Sequence, residues 1–207
     1  QQWPAVIERS RAFIAARKES PRLVEAYDAL LAASQATPGI PAPAVRTTID
    51  ARIALRPDPM SYALGANLLL ARRADLPHVE QLADLGKTVG ERFIRENESS
   101  YKLDGKVQAS LDRNAATFAD IAGWALFLEG DVTGAEARLA EAARLFRNND
   151  INNQLHLAEL STRKGDRSVA EEHYLDALSL NSTPEQRARA EAALFKLRAS
   201  TGDSFAA

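Results

Sequence analysis

The chain of 207 residues carries 26 Lys and Arg against 28 Asp and Glu, and 45% of it is apolar. That is globular usage and excludes a disordered or fibrous chain. The net charge of −2 supplies no field for phosphate backbones or anionic lipid, so no nucleic-acid partner is expected. Cysteine is absent, which removes disulfides, thiolate metal sites, iron–sulfur clusters and cysteine nucleophiles.

With 39 Ala and 25 Leu but only 8 Val and 8 Ile, the composition favours helix, since β-branched side chains lose χ1 freedom there. In chain order, the spacing of apolar residues predicts helices near 4–18, 21–36, 43–56, 59–73, 76–97, 103–112, 114–129, 134–146, 151–163, 167–180 and 184–199. Strand signals are nearly absent. Ser20-Pro21, Asp58-Pro59 and Thr183-Pro184 each set a capping side chain before Pro at a first helical position, where the missing N–H costs nothing. Thr183 and Gln186 have capping-box spacing. The triple-proline stretch 37–43 and Asn97-Glu98-Ser99-Ser100 are expected to be connectors. The densest apolar run, Leu68-Leu69-Leu70-Ala71, stops at Arg72-Arg73, short of the roughly 20 residues of a membrane span. The opening Gln1-Gln2-Trp3-Pro4 fits a processed export signal as well as a trimmed chain, with periplasmic or secreted placement slightly favoured over cytoplasmic.

Self-comparison gives the strongest pattern. Gly123-Trp124-Ala125-Leu126 and Gly130-Asp131 are followed by Ala135, Leu139, Ala142 and Leu145; Leu157-Ala158 and Gly165-Asp166 are followed by Ala170, Tyr174, Ala177 and Leu180. The two Gly-Asp pairs lie 35 residues apart. Gly123 and Ala158, with Ala135 and Ala170, are small enough for two helices to approach closely. Gly130 and Gly165 are free to take the left-handed conformation that ends a helix.

This pattern resembles the tetratricopeptide repeat (TPR), a pair of antiparallel helices of about 34 residues. The likeness is close over 115–182 and weaker over 59–97, where Leu64-Gly65 stands at the small-residue position of a degenerate unit. The hallmark proline is missing after Leu145. The resemblance implies an all-α chain of antiparallel helix pairs stacked as a right-handed solenoid. On it, 1–40 is an N-terminal helical pair, 41–113 degenerate repeats, 114–182 two clear units and 183–207 a terminal helix or cap.

The residues carry little chemistry. Gly86-Lys87-Thr88 lacks the phosphate loop's earlier glycine, with Gln81 in its place, and lies within a predicted helix. His78, His156 and His173 are far apart; His156 and Glu159 share a helix face but need further ligands to hold a metal. A hydrogen-bonded or solvated histidine is the expected role. Ser161-Thr162-Arg163-Lys164 has Ser-x-x-Lys spacing without companion motifs. Asn97-Glu98-Ser99 and Asn181-Ser182-Thr183 match the glycosylation triplet, which arises often by chance. No catalytic residue, metal or cofactor is expected.

In the family resembled, the first helices of successive units line a concave groove that binds a peptide or a partner helix. Carried over by register, the groove here would consist of Thr117, Asp120, Trp124, Phe127 and Leu128, then Asn152, Leu155, Glu159, Thr162 and Arg163. Trp124 is the best anchor by composition, although Trp124, Phe127 and Leu128 also suit packing between helices. Asp120 and Leu155 stand where relatives that clamp a terminal carboxylate carry lysine, which argues against such a clamp. Arg187, Arg189, Lys196 and Arg198, interleaved with Glu185 and Glu191, suit a solvated face. The expected function is a non-enzymatic scaffold that binds protein or peptide. The alternative is a structural or regulatory segment of a longer bacterial protein, with its catalytic domain, for example a thioredoxin-like one, outside this chain. An enzyme using residues dispersed over the groove is a third reading.

Overall fold

The computed structural model describes residues 2–101 and 106–199. Among them the chain is all helix: α1 (Trp3–Ala16), α2 (Leu23–Ala36), α3 (Ala42–Leu55), α4 (Pro59–Ala71), α5 (Leu76–Glu96), the single turn α6 (Glu98–Tyr101), α7 (Lys106–Glu129), α8 (Val132–Phe146), α9 (Ile151–Lys164), α10 (Arg167–Ser179) and α11 (Pro184–Ala199). No described helix is long and apolar enough to cross a membrane.

Local chemistry sets most boundaries. Asp58 accepts from the Ser61 amide at 3.0 Å and starts α4 at Pro59. Thr183 and Gln186 exchange bonds of 3.0 and 3.2 Å, a complete capping box that starts α11 at Pro184. Gly130 and Gly165 end α7 and α9 at φ of +97° and +84°. Two expectations are corrected. Ser20 caps a turn, accepting from the Arg22 amide, and α2 begins only at Leu23. The helices predicted at 103–112 and 114–129 are one in the described part: Asp112-Arg113-Asn114 holds neither Gly nor Pro, and Thr117 Oγ1 folds back onto the Arg113 carbonyl. The proposed start at 103 lies outside the described residues. The connector at 97–100 is largely the turn α6.

Packing divides the chain into two compact units, Gln1–Leu111 and Asp112–Ala207. In the first, each helix from α1 to α5 packs on the next. Leu31, Val45, Ile49, Leu69 and Val79 are its most deeply buried large side chains. Gly65 of α4 lies against Ile49 of α3, where a Cβ would come within 2.5 Å of Ile49 Cγ2. The small residue therefore seats the preceding helix, whereas the degenerate repeat expected there would use it against the following one. Arg52, buried on α3, binds Asp28 of α2 at 2.6 Å and reaches Asp58 at 3.5 Å.

In the second unit α8 packs on α9, α9 on α10, and α11 on both α9 and α10. A Cβ on Gly123 of α7 would come within 2.8 Å of Leu139 Cγ and 3.0 Å of its backbone nitrogen, on α8. Phe127, Ala135, Leu139, Ala143, Leu157 and Leu160 form one apolar cluster. Ile151, Leu155, Ala158, Tyr174, Ala177, Ala190 and Leu194 form the other. Ala135/Ala170, Leu139/Tyr174 and Ala142/Ala177, paired by the 35-residue period, are all buried.

Candidate functional site: the face of α7, α9 and α11

The predicted groove residues fall on two helices, α7 and α9, tied side by side. Asp120 of α7, nearly buried, accepts from Asn153 Nδ2 of α9 at 2.9 Å. Both of its oxygens stand 3.1 Å from His156 Nδ1, geometry suited to an Nδ1-protonated ring. Asn153, fully buried, also donates to the Leu139 carbonyl at 3.2 Å. His156 stacks on Trp124 with centroids 4.2 Å apart and planes 10° apart, and Phe127 stacks on Trp124 at 4.7 Å and 16°. Arg163 of α9 covers the Phe127 ring at 5.3 Å and donates to the Phe127 carbonyl at 3.3 Å. Aspartate, imidazole, indole, phenyl and guanidinium thus form one continuous chain of contacts across α7 and α9.

The same face continues onto α11. Gln186 donates to Asn152 at 3.1 Å, and Arg189 binds Glu159 at 2.5 Å. Asn152, Glu159 and Arg163 pair across helices, not with one another along α9 as helical spacing alone would suggest. The basic cluster of α11 is matched by acids: Arg187 faces Glu191 at 3.6 Å, and Arg198 binds Glu171 of α10.

Of the predicted groove, Asn152, Thr162 and Arg163 are exposed; Thr117, Trp124, Leu128 and Glu159 are partly covered. Three assignments are corrected. Leu155 has 0% exposure and sits in the cluster that joins α9, α10 and α11, so it offers a partner nothing. Phe127 is buried against α8 and α9. Asp120 is buried and spent on Asn153 and His156. Trp124, the best anchor by composition, is partly buried between side chains of its own unit.

His156 is the hydrogen-bonded histidine the sequence suggested, but its partner stands 36 residues away and no local motif marks it. His173 of α10 points at the buried Gln154, 2.8 Å from its Oε1. Burial holds this imidazole below the usual histidine range, against the raising influence of Asp176 and Glu172. Burial likewise raises the Tyr174 phenol. The Lys164 ammonium, exposed, is raised by its hydrogen bond to Glu136. Among the described residues no group of three or more His, Asp or Glu is placed to share a metal ion. Gly86-Lys87-Thr88 lies inside α5, with the Thr88 hydroxyl bonded to the Asp84 carbonyl.

Comparison with family models and with curated protein sequences finds no match to this chain.

Proposed function

We propose that the second unit is a tandem of TPR-like helix pairs and serves as a non-enzymatic scaffold, binding a protein or peptide across α7, α9 and α11. One observation carries this reading: successive first helices are joined at a recurring sequence separation. Asp120–Asn153, Phe127–Arg163, Asn152–Gln186 and Glu159–Arg189 lie 33, 36, 34 and 30 residues apart. Helix pairs that repeat in this way bury their apolar sides against neighbours and leave one side of every first helix for contact. On that side Asn152 and Arg163 supply amide and guanidinium groups, with Arg163 lying over the Phe127 ring that stacks on Trp124. Polar groups presented on a rigid helical platform, next to an aromatic, suit an extended peptide or a helix.

A photo-crosslinking side chain at Asn152, compared with one at the exposed Ala137 of α8, tests the proposal in native extract. Saturable adducts from Asn152 alone, competed by unlabelled chain and lost in Arg163→Ala, are the expected result. Adducts of equal yield from Ala137 would overturn it.

A further inference from the structure

The turn between α1 and α2 borders an open cleft of about 780 Å³, a volume in the range of small-molecule sites. Arg17, Lys18 and Arg22 line it, with Glu19 the one acid among the lining residues. No described acid forms an ion pair with any of the three cations. Glu19 is their neighbour in the chain without joining them, and Asp28 of α2 is already bound to Arg52 of α3 at 2.6 Å. Cations elsewhere are matched: Arg46 meets Asp75 at 2.6 Å, and Lys164 meets Glu136 at 2.7 Å. The imbalance is also visible along the sequence. Residues 1–22 hold five Lys and Arg against two Glu, in a chain of net charge −2.

Hydrogen bonds fix the backbone that carries these charges. The Ser20 amide donates to the Arg17 carbonyl at 3.0 Å, and the Leu23 amide donates to the Ser20 carbonyl at 3.1 Å. Ser20 Oγ accepts from the Arg22 amide at 3.2 Å. The chain therefore doubles back within a few residues, and Arg17 and Arg22 reach the same cleft. The Ser20 hydroxyl, an acceptor in that bond, keeps its own hydrogen to donate. Phe13 of α1, half-buried, adds an apolar wall.

Three like charges on one turn repel one another, and an anion bound among them removes that repulsion. Two guanidinium forks suit the paired oxygens of a phosphate, while the lysine adds a point charge. Three cations and one carboxylate leave the lining at +2. That balances a phosphate monoester, which carries about −1.5 to −2 at neutral pH. We propose that this cleft binds a small soluble phosphate monoester, with its phosphate held by Arg17, Lys18 and Arg22 and its body against Phe13. The volume exceeds what a phosphate group fills, so the ligand carries that body. The chain as a whole supplies no extended positive field, which argues against nucleic acid or a lipid surface as the source of the phosphate. The site belongs to the first unit and does not depend on whether a partner binds across α7, α9 and α11.

Calorimetric titration of the full chain with phenyl phosphate tests the proposal. Saturable one-site binding in about the millimolar range is expected. Arg17→Gln and Arg22→Gln should each weaken it about three- to tenfold, and Glu19→Gln should strengthen it about two- to threefold. Arg92→Gln removes an exposed cation from α5 with the same change of net charge, and should leave binding unchanged. All four side chains are exposed, so each variant should melt like the parent. Inorganic phosphate should bind about threefold more weakly or worse, because it makes no contact with Phe13. Absence of saturation up to about 20 mM phenyl phosphate, or an equal loss in Arg92→Gln, would overturn the proposal. So would equal affinity for inorganic phosphate. Binding seen only with vesicles containing phosphatidic acid would overturn it too, by assigning the three cations to a lipid surface.

Discussion

Both units set an aspartate against a histidine across two helices, and the distances are nearly equal. Asp50 stands 3.0 Å from His78 in the first unit, and Asp120 stands 3.1 Å from His156 in the second. Their surroundings differ. The Asp50 side chain is 46% exposed and shares its charge with Arg46 at 3.6 Å. That of Asp120 is 12% exposed, takes a second bond from a fully buried amide, and holds a ring stacked on Trp124. Geometry alone does not rank the two pairs. Solvent screens the first, while loss of an acceptor in the second strands donors that water reaches poorly.

The sharpest way to break this comparison is to delete each acid. Asp120→Ala should cost about 2–4 kcal/mol in urea unfolding, because Asn153 and His156 lose a shared buried acceptor. Asp50→Ala should cost about 1 kcal/mol or less. Equal losses would mean that burial is not what separates the pairs.

The close-approach glycines give the next largest effect. Gly123→Ala places a methyl against both the side chain and the backbone nitrogen of Leu139, with an expected loss of about 2 kcal/mol. Gly65→Ala meets only the Ile49 side chain, and the helix propensity gained by alanine offsets part of that clash, leaving about 1 kcal/mol. Smaller still is a gain at the helix ends. The second unit uses glycine at φ of +97° and +84°, whereas Arg73 in the first and Arg147 in the second adopt φ of +49° and +55° with a full side chain. Arg73→Gly and Arg147→Gly should each stabilise by about 0.5–1 kcal/mol in the same assay.

The smallest expected effect is a pH dependence confined to the second unit. Burial disfavours the charged form of His173, with Asp176 and Glu172 opposing it, so the unfolded chain takes up this proton first as pH falls. The stability associated with a neutral His173 is complete above about 6.5 and declines below it, toward the folded value. Melting between pH 7.5 and 5.5 should therefore fall less steeply in His173→Gln than in the parent. Parallel slopes would remove His173 as a source of the acid sensitivity.

Features whose cause lies within a few residues were legible in the sequence. The Asp58 cap, the Thr183–Gln186 box and the two left-handed glycines each follow from residues adjacent to the element they end or start. The paired buried positions Ala135/Ala170 and Leu139/Tyr174 were legible too, because a period reports recurrent packing. What the sequence left open depends on partners about 30 residues away. The register carried over from the family resembled puts Leu155 on the groove; the cluster with Ala190 and Leu194 turns it inward. His156 carried no signal of Asp120, and Gly65 none of whether it seats α3 or α5. For the same reason most of the candidate site was harder to read than the fold: its polar residues are defined by which neighbouring helix they meet.

The stack around Trp124 has an optical consequence. The chain has two tryptophans, Trp3 in the first unit and Trp124 in the second. Trp3 is 42% exposed, whereas Trp124 lies against an imidazole and a phenyl ring. Each unit thus has its own fluorophore in a different environment, and a Trp3→Phe chain would emit from the second unit alone. Excited near 295 nm, such a chain would separate the loosening of one half from that of the other without an added label.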